Sequence, residues 1–501
     1  MPVRKSPAVA RLGAALLLLG LTAGCGSGQP TATSASSVAT PSSPAASGTP
    51  TPGGTAAASS ADYNEAYRIG LEAYTYGLPL LTTNETFLTM TSVDVSSGAF
   101  GPVNQFNSVR SLNNPGSKVV VAPGSNGLSS IAWLDLTNEP QVLHVPQVTD
   151  HFFVLGLIDP YTTNIANLGT ARSTKPGDYV IAGPGQQDLP IPAGAQRIDV
   201  SYTRIWIIGS TQLKGEADIP NVNRIQDGFT LTPLSQFGRA YHATPPASPR
   251  TTVTLATLPG GLDFFDVLGQ QLKLFPPPAA DQAELSDFAK AGIGPGMTPS
   301  ANQQLSSDTV KGLEAAFADG PAQIKKDLAA LFLADFDKHN GYLVGGFGTY
   351  GTNYPLRAVV TMVGLGAFSS DQAMFAMSST DHSKQPLSGS TNYVMHMPSA
   401  PPSNEGWSLT VYNLQGALIP NSINRYQLSD ASALTRNADG SVDIYFGANR
   451  PSDPSQAKNW LPTAGGSGFE VIWRLLAPKP SAVKGILDGT GWQPPAITKA
   501  P

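Results

Sequence analysis

Apolar and polar positions along this chain change their period several times, and those changes divide it into parts. From Asp62, the residues Ala66, Ile69, Ala73 and Tyr76 recur at helical spacing, and Asp62 with Glu65 has the spacing of a capping box. The pattern predicts an N-terminal helix that stops at Gly77 and Pro79. Short β-favouring runs follow at Lys118–Ala122, Ile131–Leu136, Val142–Val145, Phe152–Ile158, Tyr179–Ala182, Ile198–Tyr202 and Ile205–Ile208. Turn residues separate them in the manner of a sandwich or barrel. Helical periodicity returns at Asp281–Ala291, Ser306–Ala318 and Pro321–His339, with Pro321 suited to a first helical turn. Strands resume at Tyr393–Met397, Trp407–Tyr412, Val442–Phe446 and Phe469–Leu475. The expectation is a mainly β, α+β chain: two β-sandwich or jelly-roll-like units, residues 62–280 and 341–501, with a helical segment over 281–340 between them.

The pattern ahead of Asp62 is of another kind. Arg4, Lys5 and Arg11 precede an apolar run from Leu12 to Leu21, and Thr22-Ala23-Gly24 lead to Cys25, the only cysteine. A basic segment, a short apolar segment and small residues before a processing site form an export signal over residues 1–24. The apolar run is half the roughly 20 residues a spanning helix needs. Leu21-Thr22-Ala23-Gly24-Cys25 resembles a lipobox, which implies diacylation of Cys25 and a membrane partner reached through that anchor at the extracytoplasmic face. From Gly26 to Ser60, 33 of 35 residues are Gly, Ser, Thr, Ala or Pro and none is charged, a composition that cannot offset its own ordering entropy. Residues 25–61 are therefore expected to form a disordered tether.

Charge then narrows the partners. Residues 1–24 hold three positive charges and no negative ones, so the chain without them has 27 basic and 35 acidic residues. Nucleic acid, which is bound through basic footprints, is excluded as an expected partner. With its one thiol lipidated, the chain would have no disulfide, no thiolate nucleophile and no cysteine metal ligand.

The later motifs are specific. Trp407-Ser408-Leu409-Thr410-Val411-Tyr412, Asn424-Arg425-Tyr426, Asp439-Gly440-Ser441 and Asn459-Trp460-Leu461-Pro462 occur in this order. They resemble the bacterial family known as domain of unknown function 1214. Upstream, Ala132-Trp133-Leu134-Asp135-Leu136 and Asp159-Pro160-Tyr161-Thr162-Thr163-Asn164 resemble its usual partner, domain of unknown function 1254. The resemblance implies two β-sandwich units with helical additions, and no established activity. It also shows departures: where the family has Asp and Tyr ahead of the Trp-containing strand, this chain has Asn126 and Ser129, and an expected arginine is Ser210. An amide cannot serve as a general base in place of a carboxylate.

Other motifs carry less. Gly346-Phe347-Gly348-Thr349-Tyr350-Gly351, with Asp371 beyond it, matches a dinucleotide glycine pattern by letter, but helices precede it where a parallel βαβ unit is required. It reads better as a glycine-rich turn before Tyr354–Gly366, and no cofactor is expected. His144, His151, His242, His339, His382 and His396 include no metal-binding helical pair. A site assembled from distant segments, such as His396 with Asp381, stays open, and no Gly-x-Ser-x-Gly elbow occurs.

The candidate ligand-binding residues are Asp159, Tyr161 and Asn164 in the first unit, with Trp407, Asn424, Arg425, Tyr426 and Trp460 in the second. Together they could line a shared cleft, Arg425 meeting a carboxylate or phosphate and the aromatic residues walling an apolar or sugar ligand. Read structurally, Arg425 and Asn424 tie loops and the tryptophans fill cores. The leading expectation is a lipid-anchored envelope protein that binds a small molecule, carbohydrate or envelope polymer. The rival is an exported hydrolase or lyase using Asp159 with a Tyr or His across the cleft, and the third reading is a structural interaction module.

Overall fold

The computed structural model describes residues 60–115, 124, 126–345 and 347–500. Cys25, the leader, most of the tether, the expected strand Lys118–Ala122 and Gly346 lie outside the described residues.

The first helix, α1 (Ala61–Met90), is capped by Ser60, whose hydroxyl accepts from the Tyr63 backbone N–H at 3.1 Å, so the cap lies two residues before Asp62. It also runs past Gly77 and Pro79. Pro79 removes one helical N–H, which burial of the surrounding turns outweighs. Gly77 is where Leu268 packs, since a Cβ there would lie 2.7 Å from a Leu268 methyl.

The first sandwich is built from β1 (Asn107–Ser108), β2 (Gly127–Asp135), β3 (Gln141–Val145), β4 (Phe153–Ile158), β5 (Asn164–Gly169), β6 (Gly177–Ala182), β7 (Gln196–Asp199), β8 (Arg204–Gln212) and β9 (Thr230–Pro233), with α2 (Ile219–Gly228) before β9. Its sheets have the orders β1-β2-β8-β4-β5 and β7-β6-β3-β9. Strand alternation turns Ala132, Leu134, Leu155, Leu157, Ile205 and Ile207 inward against Leu143, Val145, Tyr179 and Ile181 of the second sheet.

A helical layer follows: α3 (Leu262–Leu274), α4 (Gln282–Phe288) and α5 (Ser307–Phe336). The two stretches expected as separate helices around Pro321 are one, α5, capped by Ser306 through its 3.1 Å contact with the Thr309 N–H. Small residues let α1 and α5 approach: a Cβ on Gly312 would lie 2.6 Å from the Tyr63 carbonyl, and one on Gly320 would lie 2.5 Å from the Tyr74 ring. Asp281–Ala291 is broken into two 3-10 turns flanking α4.

The second sandwich contains β10 (Leu343–Gly345), α6 (Tyr354–Gly364), β11 (Ala373–Ser378), β12 (Tyr393–Met397), β13 (Trp407–Asn413), β14 (Gln427–Ser429), β15 (Val442–Gly447), α7 (Pro454–Lys458), β16 (Trp460–Pro462), β17 (Phe469–Leu476), α8 (Pro480–Asp488) and β18 (Ile497–Lys499). Its sheets are β10-β11-β17-β13-β14 and β16-β15-β12-β18. Leu409, Val411, Val471 and Trp473 of the first meet Met395 and Ile444 of the second in its core. The fold is thus α+β, with an N-terminal helix and a helical layer between two sheet units. β10 and β11, on either side of α6, pair antiparallel, so the glycine-rich segment lies in no parallel βαβ unit.

Each sandwich has a sheet whose outer face is also covered. The β1-β2-β8-β4-β5 sheet turns its outer face toward that of β10-β11-β17-β13-β14, with α6 and the segment after it between them. Phe152 and Val154 of the first unit pack with Phe368, Leu476 and Ala477 of the second.

Candidate functional site

The two outer faces do not close completely. Between them lies a cavity of about 240 Å³. One wall is the first sheet, with Ser129 of β2, Val154 of β4, and Ser210 and Gln212 of β8. Phe375 and Met377 of β11 and Ile472, Arg474 and Leu476 of β17 form the opposite wall. Val360 and Val363 of α6, with Phe347 and Phe368, complete it.

Local geometry explains why these residues meet. In register, Ser129 pairs with Ser210 and Gly127 with Gln212, so the polar groups of β2 and β8 form one patch on the cavity face. Two glycines admit the covering segment. A Cβ on Gly156 would lie 3.0 Å from the Phe368 ring, and Gly366, at φ +82°, takes a conformation favourable to glycine where a side chain would collide with Ile208. On β17, Phe469, Val471, Trp473 and Leu475 belong to the sandwich core, which leaves Glu470, Ile472, Arg474 and Leu476 on the other face.

Arg474 is the only charged residue among the described residues that line the cavity. Its Nη2 donates to the Tyr412 hydroxyl at 2.8 Å and its Nη1 to Thr410 Oγ1 at 3.3 Å. Those bonds hold a buried cation that would otherwise carry a large desolvation cost. Glu470, four residues earlier on the same strand face, is buried too, and burial pushes its carboxyl up to about 7 against the opposing pull of Arg474.

The sequence-derived candidates lie elsewhere. Asp159 caps the turn between β4 and β5, its Oδ1 accepting from the N–H groups of Tyr161 at 2.8 Å and Thr163 at 2.9 Å. Burial pushes this carboxyl up to about 7, while those bonds and Arg357 pull it down. Tyr161 donates to the Phe275 carbonyl at 2.7 Å. Both residues belong to a packed junction around the buried Arg357 of α6, whose guanidinium carbon lies 5.1, 5.5 and 5.2 Å from the ring centres of Tyr76, Tyr161 and Tyr354. Asn164 accepts from Asn167 at 2.6 Å and borders an open polar groove with Arg172, Ser369 and Asp371.

In the second unit, Arg425 Nη1 donates to the carbonyls of Ala457, Lys458 and Trp460 at 2.9, 3.2 and 3.2 Å, fastening the end of α7 to its own loop. Asn424 holds a left-handed backbone at φ 49° and accepts from the Tyr426 hydroxyl at 3.0 Å. Trp407 is in the core beside Trp473, ring centres 5.1 Å apart, and Trp460 donates to the Gly447 carbonyl at 2.9 Å. None of the eight candidates lines the inter-sheet cavity. His396 pairs with Asp443 at 2.7 Å, while Asp381 caps its own turn by accepting from Ser383 and Gln385. No group of three or more His, Cys, Asp or Glu residues suited to a metal occurs among the described residues.

Three residues singled out by the sequence do reach the cavity: Asn126, Ser129 and Ser210 all line it. These are the positions where the chain departs from the family resemblance. Arg474 escaped notice because it lies inside an apolar strand. The signal that could have found it is the alternation Glu470-Ile472-Arg474 between core residues.

The molecule therefore belongs to a class with two β-sandwiches packed outer face to outer face, a cavity between them and a helical layer at their side. Residues 103–233 match the family model described as protein of unknown function DUF1254, and residues 372–480 match that of DUF1214, so the chain carries the two in that order. The VPA0106 protein from Vibrio parahaemolyticus shares the fold, with 20% identity and a TM-score of 0.62 over 87% of this chain and 100% of that one. An uncharacterized protein from Burkholderia cenocepacia is 13% identical, with a TM-score of 0.39 over 88% of this chain and 95% of its own. No curated protein matches the chain.

Proposed function

We propose that this chain is a lipid-anchored cell-envelope protein that binds a small molecule between its two sandwiches. The observation that carries the binding reading is the cavity, walled by aromatic and aliphatic side chains with a few polar residues among them. That is the usual make-up of a small-molecule site, and such sites run from about 300 to 1,000 Å³. A volume of 240 Å³ favours a compact ligand over an envelope polymer. A hydrolase or lyase built on Asp159 has less support, because that carboxylate is engaged by two backbone N–H groups and lines neither the inter-sheet cavity nor the groove beside Asn164.

Anchoring rests on the run from Arg4 to Cys25, with two acyl chains on Cys25 giving firm attachment where one would be marginal. Among the described residues no helix is long and apolar enough to cross a membrane. Mass analysis of the mature N-terminus tests this part: the expected species begins at a diacylated Cys25, and an unmodified cysteine would refute it.

For binding, the melting of the purified chain is measured against short-chain carboxylates, amides, alcohols and small aromatic compounds. A ligand at 100 times its dissociation constant adds about 2.7 kcal/mol of apparent stability. Ser210→Phe, which fills the cavity from β8, is expected to abolish the shift. Melting unchanged by every compound would sink the reading.

A further inference from the structure

We infer that the cavity takes a compact uncharged molecule with one hydrogen-bonding end. That end meets Ser129, Ser210 and Gln212, and the apolar remainder lies among Phe368, Phe375 and Met377. This rests on the small-molecule reading of the same cavity and adds the ligand's charge and orientation.

The lining separates by chemistry. Ser129 of β2 pairs with Ser210 of β8, and alternation from the core residues Ala132, Ile205 and Ile207 turns Ser129, Ser210 and Gln212 toward the cavity. Each of them is half-buried. Among the described residues none of these side chains has a hydrogen-bond partner in the protein, so their donors and acceptors are open to a ligand. Across the cavity, Phe375 and Met377 of β11 and Phe368 before it present only carbon and sulfur. A polar wall facing an apolar one orients an amphipathic ligand. The reversed pose would bury the ligand's polar end without a partner.

The charge of the ligand follows from how Arg474 is engaged. Its Nη2 donates to the Tyr412 hydroxyl and its Nη1 to Thr410 Oγ1, and buried Glu470 opposes its charge from the same strand face. The other described lining residues are neutral. An ionised ligand would therefore surrender its hydration without gaining an unspent opposite charge. An amide or hydroxyl instead exchanges water for hydroxyl and amide partners of its own kind.

Pentanamide is the probe. Pentanoate and pentylamine change its charge at about the same size, and 1-chloropentane stays neutral but loses the strong hydrogen-bonding end. Binding to the full chain is measured by calorimetric titration. Pentanamide should bind about tenfold or more tightly than either ion, and about fivefold more tightly than 1-chloropentane. Ser210→Ala combined with Gln212→Leu should remove the advantage of pentanamide over 1-chloropentane. Because these side chains have no protein partner to lose, the double variant should melt with the parent, which separates lost binding from lost fold.

Pentanoate or pentylamine binding as tightly as pentanamide would overturn the uncharged ligand. Equal binding of pentanamide and 1-chloropentane by the parent, or an advantage that survives the double substitution, would overturn the placement of the polar end. Each of these results leaves a small-molecule site standing. If none of the four compounds binds, the inference falls by itself where the broader screen finds another ligand, and falls together with the small-molecule reading where it finds none.

Discussion

Arg474 donates to the Tyr412 hydroxyl across 2.8 Å, although its backbone is paired not with Tyr412 but with Ser408. Its side chain thus runs along β13 past Thr410 to a residue whose own register partner is Glu470. This sideways reach ties β17 to β13 on the sheet's outer face. Tyr412→Phe keeps the ring and removes the acceptor, so a buried charged donor loses a partner. The expected cost is about 1.5–3 kcal/mol in urea denaturation. A variant as stable as the parent would mean the bond does not position Arg474.

Arg425 gives the opposite expectation. It ties three carbonyls at the end of α7 and does not line the cavity. Arg425→Ala should therefore lower stability by about 1–3 kcal/mol and leave cavity ligands bound as before. Thermal melting with and without a compound that binds the cavity separates the two effects. Lost binding at unchanged melting would restore Arg425 as a ligand residue.

The sheets were largely legible in the sequence because strand alternation and turn residues act locally. Tyr393–Met397 is observed with the bounds its pattern predicts, and Phe153–Ile158 differs from its pattern by one residue. Helix ends were less legible. Gly77, Pro79 and Pro321 are stop signals in an isolated helix, but burial against other helices overrides them, and that information is nonlocal. The cavity was readable only in part. Asn126, Ser129 and Ser210 drew attention as departures from a resemblance, yet their convergence depends on the pairing of β2 with β8. The motif-bearing Asp159, Arg425 and Trp460 are bound to backbone groups of their own neighbourhoods, so a specific motif marked the frame of the fold rather than its site.

Glu470 makes stability depend on pH in a stated direction. Its carboxyl is raised from 4.5 to about 7 in the folded chain, so between those values the folded state keeps a proton that the unfolded state has released. Stability from this group is full below about pH 4.5, falls as pH rises toward 7, and is flat above. Glu85 and Asp159 are also raised to about 7 and act in the same sense. Glu470→Gln removes one of these contributions. At pH 8 it should be more stable than the parent by up to about 3 kcal/mol, and the difference should vanish near pH 4.5. Urea denaturation across that range measures it. A variant less stable than the parent at pH 8 would show that Glu470 is held ionised by Arg474, outweighing its desolvation.

Gly320 tests whether the helical layer is set by packing or by propensity. It lies within α5, where Gly→Ala in an exposed helix gains about 1 kcal/mol. Here the added methyl would lie 2.5 Å from the Tyr74 ring, which also stacks on Phe264 with ring centres 4.8 Å apart. The ring has little room to retreat, because Tyr74, Phe264 and Phe317 form one cluster. Overpacking of that kind costs about 1–3 kcal/mol, which exceeds the propensity gain. Gly320→Ala is therefore expected to lower the denaturation midpoint without changing its slope. Tyr74→Leu in the same chain should recover part of the loss by freeing the space. A stabilised Gly320→Ala would mean that α1 and α5 can slide apart at little cost, and that their close approach is not what fixes the helical layer.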